Sequence, residues 1–148
     1  MTPSILDFLK TFGINTKTNF DLKDYADYLN LKIKILMNDE LSSLKEDTPK
    51  NIIINYQNSN EKGSHWVCIY NKSIYFDSFG IKPTKEVEDY LSEDGSQDYT
   101  FNSLHVQPWN TKICGILSLY VLYRLNKSKG EGFTSLIQEI YNDLKSIL

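Results

Sequence analysis

The sequence predicts one α+β domain over residues 1–148: a mixed β-sheet flanked by helices, with a buried helix near the C-terminal end. Three observations lead there. Helical apolar spacing stands at both ends of the chain and β-rich runs fill the middle, without the regular βαβ alternation of a doubly wound fold. A chain of 148 residues with 41% hydrophobic and 24% charged residues and a net charge of -3 has the composition of a single soluble domain with a sizeable core. No internal repeat or low-complexity stretch interrupts it.

Taken in order, Thr2-Pro3 reads as an N-cap with proline in the first helical turn, followed by Ile5, Leu6, Leu9 and Phe12 on one face and Gly13 as the stop. A second helix begins near Asn19 to Asp21 and aligns Leu22, Tyr25, Ala26 and Leu29. Leu31 to Ile35 alternates with period two, as on an outer strand of an antiparallel sheet. Ile52-Ile53-Ile54 is continuously apolar and predicts a strand covered on both faces. After a polar loop from Gln57 to Ser64, His65 to Tyr70 and Ser73 to Asp77 form a hairpin through Asn71-Lys72, ended by Ser78-Phe79-Gly80. Pro83-Thr84 caps a short helix with Val87, Tyr90 and Leu91, and another strand is expected over Thr100 to Val106. A buried helix starts at or just before Cys114. The last helix, from Thr134, carries the stripe Leu136, Ile137, Ile140, Tyr141, Leu144 and Ile147.

Several classes are disfavoured. The longest apolar run, Ile113 to Tyr123, is far shorter than the ~18 to 20 residues that span a bilayer. The N-terminal stretch alternates polar and apolar residues instead of forming a secretion signal, so an intracellular, reducing location and two free thiols, Cys68 and Cys114, are expected. A slightly acidic chain, with six acids between Ile81 and Asp98, lacks the clustered basic face of a nucleic-acid binder. The small cluster Arg124, Lys127 and Lys129 is expected to complement the C-terminal end of the buried helix.

The chemistry centres on Cys114. At a helix start its sulfur would lie beside unpaired N–H groups and the positive end of the helix dipole, both of which favour thiolate. Cysteine is also a common small core residue, so partners decide the reading. Only two histidines exist. On a regular strand His65, Val67 and Ile69 share one face, with Trp66, Cys68 and Tyr70 on the other, which turns Cys68 away from His65 and leaves it as packing. His105 is the alternative base, on the face of Gln107 if its strand stays regular.

His65 is preferred because the paired strand ends in Asp77, an acid able to orient it. A two-residue Asn71-Lys72 turn sets Asp77 opposite Trp66, on the wrong face; a three-residue loop Tyr70-Asn71-Lys72 sets it opposite His65. Gln107, seven residues ahead of Cys114, can offer its side-chain amide to an oxyanion together with the Cys114 N–H.

The ordered set His65-Trp66, "YFDSFG" from Tyr75 to Gly80, and Gln107 followed by Cys114-Gly115 resembles the adenovirus-type maturation proteases and their SUMO-deconjugating relatives. It is most similar to the compact capsid-maturation proteases of virophages, polinton-like viruses and large DNA viruses. The resemblance spans roughly Asn51 to Gly130, with a weaker echo at "ILMNDEL". It implies a papain-like, adenovirus-protease-like fold with Cys114 as nucleophile, His65 as general base, Asp77 as its orienter and Gln107 as oxyanion donor. Adenovirus enzymes carry glutamate as the third member, whereas Asp77 follows the deconjugase pattern, and the interval from His65 to Asp77 is short for the group.

The resemblance further implies an endopeptidase acting on capsid or virion precursors after small residues such as Gly-Gly. Glycine can pass where a narrow cleft, walled by Trp66 and Trp109, excludes a Cβ. Both tryptophans are equally readable as core aromatics. Expected partners are virion precursor polypeptides and an activating peptide, with little intrinsic DNA affinity, no membrane, and a monomeric state. No cofactor or metal is expected, and the implied location is the virion and the host cytoplasm or virus factory. The alternatives are a SUMO or ubiquitin-like deconjugating protease, an acyltransferase using the same Cys/His/acid set, and a binding module in which Cys114 is only core.

Overall fold

Alternating apolar side chains in the middle of the chain are buried by covering both faces of one sheet. The computed structural model describes residues 2–44, 49–56, 65–92 and 98–146. Its elements are α1 (Ile5–Phe12), α2 (Asn19–Tyr28), β1 (Lys34–Met37), a 3-10 turn (Asn38–Ser43), β2 (Asn51–Asn55), β3 (Trp66–Tyr70), β4 (Ile74–Phe76), α3 (Lys85–Leu91), β5 (Thr100–Phe101), α4 (Cys114–Ser128) and α5 (Phe133–Lys145). The fold is α+β: a five-stranded mixed sheet, ordered β1-β2-β3-β4-β5, packed with helices. The expected loop Gln57 to Ser64, the acids Glu93 and Asp94, and Ile147 lie outside the described residues.

The period-two rule divides the core. Ile53, Trp66, Cys68, Tyr70, Ile74 and Phe76 face the layer of α1, α2, α4 and α5. Ile52, Ile54, Val67, Ile69 and Tyr75 face α3 and the 3-10 turn, where Leu41, Val87, Tyr90 and Leu91 complete a second cluster. Helix α4 is apolar nearly all round because it lies between the sheet and the other helices, with Ile116, Leu117, Leu119, Val121 and Leu122 fully buried. Each such side chain contributes ~1.5 to 3 kcal/mol of burial. Among the described residues no helix is long and apolar enough to cross a membrane.

Local chemistry departs from the sequence reading at several points. The cap of α1 is Ser4, not Thr2: Ser4 Oγ accepts the Asp7 N–H (3.2 Å) and the Asp7 carboxylate accepts the Ser4 N–H (2.9 Å). Thr18 and Asp21 repeat this box on α2. The outer strand starts at Lys34, later than expected, and runs parallel to β2, not antiparallel. The expected strand over Thr100 to Val106 shrinks to the two residues of β5. Its ladder stops because the Asn102 side chain takes both backbone groups of Asp77, the next pair that a continued ladder would have used. Arg124 does not serve the end of α4; it forms a forked ion pair with Glu139 of α5 (Nη2 to Oε1 3.1 Å), while Lys127 occupies the last turn and Lys129 is the left-handed C-cap.

Candidate active site

The candidate residues sit where one end of the hairpin meets the start of α4. His65 immediately precedes β3 and is held by the ladder, its carbonyl accepting the Tyr56 N–H at 2.9 Å. Gly115 lets α4 settle there: a Cβ at this position would lie 3.1 Å from Trp66 Cδ1 and 3.5 Å from Leu22. The missing side chain thus brings Cys114, 7% exposed, to the head of β3.

The hairpin adopts neither register weighed from the sequence. Its loop is Asn71-Lys72-Ser73, with φ of 50° and 53° at the first two residues, and Tyr70 pairs with Ile74. Continuing the Cys68↔Phe76 pairing by one residue sets Asp77 across from Val67, on the face that Val67 shares with His65. The acid therefore reaches the imidazole along a diagonal. His65 Nε2 and Asp77 Oδ1 are 2.9 Å apart, and the Phe79 N–H donates to the same oxygen at 2.8 Å.

With Nε2 engaged by Asp77, Nδ1 is the nitrogen left to face the start of α4, and Cys114 there is among the groups that raise the His65 pKa. Burial alone would pull the imidazole pKa down. The hydrogen bond to Asp77, that to Cys114, and the negative charge of both partners outweigh it and raise the pKa to about 9. Cys68 points into the helix-side core, and burial, reinforced by the charge of Asp77, pushes its thiol well up. Both cysteines are free thiols.

Helix α4 differs from α1, α2 and α3 at its start. Those three are capped by the side chains of Ser4, Thr18 and Thr84, whereas the N-cap of α4 is Ile113, which offers no side-chain acceptor. The first helical bond runs from Leu117 N–H to Ile113 O (2.9 Å), so the N–H groups of Cys114, Gly115 and Ile116 precede it. Gln107 is 2% exposed; its Oε1 accepts the Ser78 hydroxyl at 2.6 Å and its Nε2 donates to the Thr111 carbonyl at 2.9 Å. An amide nitrogen carries two hydrogens, so one N–H of Gln107 remains after Thr111 is served.

The aromatic residues separate into core and shelf. Trp66 is 7% exposed and packed, its Nε1 donating to the Lys17 carbonyl at 3.3 Å. Trp109 is 74% exposed. Phe79 stacks on the His65 ring with centroids 4.7 Å apart and on Trp109 at 6.1 Å, forming one aromatic file from the imidazole to solvent. His105, the alternative base, donates from Nε2 to the Gln107 carbonyl (2.5 Å) and lies 4.4 Å from the Trp109 ring.

Some contributors were not legible from spacing. Asn102 is 6% exposed; its Oδ1 accepts the Asp77 N–H (3.1 Å), and its Nδ2 donates to the carbonyls of Asp77 (2.7 Å) and Leu104 (3.2 Å). The sequence places Asn102 within a strand, which hides that role. Ser78 and Phe79 register there only as turn residues. Among the described residues no group of three or more His, Cys, Asp or Glu side chains is placed to hold a metal ion.

No protein-family model matches the chain, and no curated protein sequence matches it either. The groups available are a thiol at an uncapped helix start, an imidazole whose Nε2 is held by a buried carboxylate, and an amide fixed by Ser78 and Thr111. Such a set can support nucleophilic acyl transfer.

Proposed function

We propose that the protein is a cysteine endopeptidase of the papain-like, adenovirus-protease type. The observation that supports this reading is His65, held by the buried Asp77 carboxylate 2.9 Å from Nε2, at the end of the hairpin where Trp66 packs against Gly115 and the Cys114 helix begins. The Cys114 sulfur, as thiolate, adds to the scissile carbonyl carbon, and the carbonyl electron pair moves onto oxygen. That oxyanion is met by the free N–H of Gln107 and the backbone N–H of Cys114. As the C–N bond breaks, the His65 imidazolium gives its proton to the leaving amine. Water then attacks the thioester, passing a proton back to His65, and the acid product leaves with the thiolate restored. Asp77 keeps the ring oriented throughout.

The substrate class follows from the resemblance of the His65-Trp66, Tyr75 to Gly80 and Gln107 to Gly115 motifs to viral maturation proteases: virion precursor polypeptides cut after small residues such as Gly-Gly, within the infected cell or the virion. Trp109 and the stacked Phe79 would wall the cleft. The test is turnover of Gly-Gly fluorogenic peptides by the wild type, Cys114→Ala and His65→Ala. Both variants should retain the melting transition and lose at least about a thousandfold in kcat. Full activity in His65→Ala would overturn the mechanism. Release of a fluorophore from a SUMO C-terminus, with no cleavage of virion-derived Gly-Gly peptides, would replace the substrate with a ubiquitin-like modifier.

A further inference from the structure

Ser78 is where the two arms of the site meet. Its side chain is fully buried, its hydroxyl donates to Gln107 Oε1 at 2.6 Å, and its carbonyl accepts the N–H groups of Val106 (2.9 Å) and Gln107 (3.1 Å). One peptide bond joins it to Asp77. The acid that holds the imidazole and the amide proposed to meet the oxyanion are therefore tied to a single residue.

A primary amide presents an oxygen and a nitrogen of almost the same shape, and the two have opposite effects on an anion. Turned by half a rotation, Gln107 would repel the oxyanion it is meant to hold. In the observed orientation the Thr111 carbonyl, which can only accept, meets Nε2, and the Ser78 hydroxyl, as donor, meets Oε1. The reversed amide would set Oε1 against the Thr111 carbonyl. At this depth a lost hydroxyl leaves the amide oxygen without its donor.

We infer that Ser78 is a positioning residue: its hydroxyl holds the Gln107 amide with the free N–H toward the developing oxyanion, and couples that orientation to the turn carrying Asp77. The inference rests on the protease reading. A serine that only fills the core would also lower stability when replaced, so the decisive quantity is whether its effect requires Gln107.

The experiment uses the full chain as wild type, Ser78→Ala, Gln107→Ala and the double variant. Three readouts are taken: the Gln107 side-chain N–H pair in a nitrogen–proton correlation spectrum, kcat and KM on a Gly-Gly aminomethylcoumarin peptide, and the melting midpoint. Ser78→Ala should shift or broaden the Gln107 pair and lower kcat about tenfold, a part of what loss of a whole oxyanion donor costs, with KM unchanged. In the Gln107→Ala background it should lower kcat no further. Ser78→Cys, of similar size with a weaker donor, should fall between, and it replaces Ser78→Ala if that variant does not fold. Unmoved Gln107 resonances, or an equal loss of kcat without Gln107, would overturn the inference even where Cys114→Ala is inactive. If the wild type shows no turnover dependent on Cys114, it is the protease reading that fails, and the resonances alone decide whether Ser78 orients Gln107.

Discussion

His65 Nε2 meets Asp77 Oδ1 at 2.9 Å from a diagonal position, the acid lying across from Val67 instead of across from the histidine. The Phe79 N–H fixes the same oxygen, so the carboxylate is held turned toward the ring.

The first prediction concerns pH. The folded-state pKa of His65 is about 9, above the ordinary 6.5, after burial has been outweighed by hydrogen bonds to Asp77 and Cys114. A raised value means that the charged ring stabilises the fold fully below about pH 6.5, and that this contribution is lost as pH rises through about 9. Asp77→Asn removes one of the two partners and should move the midpoint down by about one unit or more. Imidazole proton shifts followed by NMR across that range check it. An unchanged midpoint in Asp77→Asn would contradict the assigned cause. Protease activity, where observed, should show its alkaline limb at the same pH as the wild-type ring.

Thiol reactivity gives a second check that needs no substrate. Cys68 is 1% exposed, with its thiol pushed well up by burial and by the charge of Asp77. Cys114 stands at a helix start beside His65. Iodoacetamide near neutral pH should label Cys114 about tenfold faster than Cys68 or more, and His65→Ala should slow it. Peptide mapping by mass spectrometry reads both rates; equal labelling would leave Cys114 as ordinary core.

The sequence made the frame of the site legible and left its fasteners hidden, for a physical reason. Apolar periodicity places α4 and β3, so Cys114 and His65 could be located from patterns that the core itself imposes. The register of the hairpin depends on loop geometry at Asn71, Lys72 and Ser73, where two non-glycine residues take positive φ, an arrangement that spacing does not encode. Asn102 and Ser78 act through side-chain bonds to partners 25 and 29 residues away. Contacts of that kind leave no local signature. The short β5 is the other side of the same event, since a strand cannot continue where a side chain occupies the ladder.

Gly80 carries a third prediction. Its φ is 72°, and a Cβ there would lie 2.6 Å from the Ser103 carbonyl oxygen and 2.9 Å from the Leu104 carbonyl carbon, both backbone atoms. Gly80→Ala therefore adds left-handed strain to a clash that no rotamer relieves, and should cost about 2 kcal/mol or more. Because the turn begins at Asp77, whose carbonyl accepts the Gly80 N–H at 2.8 Å, the His65 midpoint should fall as well. Chemical denaturation and the NMR titration measure the two effects. A neutral substitution would show that the loop from Asn102 to Leu104 yields more readily than its bonds suggest.

Asn102 supplies the last. Its side-chain amide replaces a strand neighbour for Asp77, accepting from its N–H and donating to its carbonyl, and a further bond to the Leu104 carbonyl closes the loop. Asn102→Ala leaves the Asp77 backbone groups without these partners at a residue only 2% exposed, at a cost of about 2 to 4 kcal/mol. Asn102→Asp is the sharper variant. It keeps the size and the acceptor for the Asp77 N–H, but sets an oxygen against the Asp77 carbonyl and a second negative charge beside the buried carboxylate. At neutral pH it should therefore destabilise at least as much as alanine, and part of the loss should be recovered on acidification, as the new carboxyl takes a proton and becomes a donor. Denaturation midpoints of both variants at neutral and mildly acidic pH decide the matter. If Asn102→Asp is no less stable than wild type at neutral pH, Asn102 does not hold Asp77 through its Nδ2, and the acid must be fixed by the Phe79 N–H and the hairpin alone.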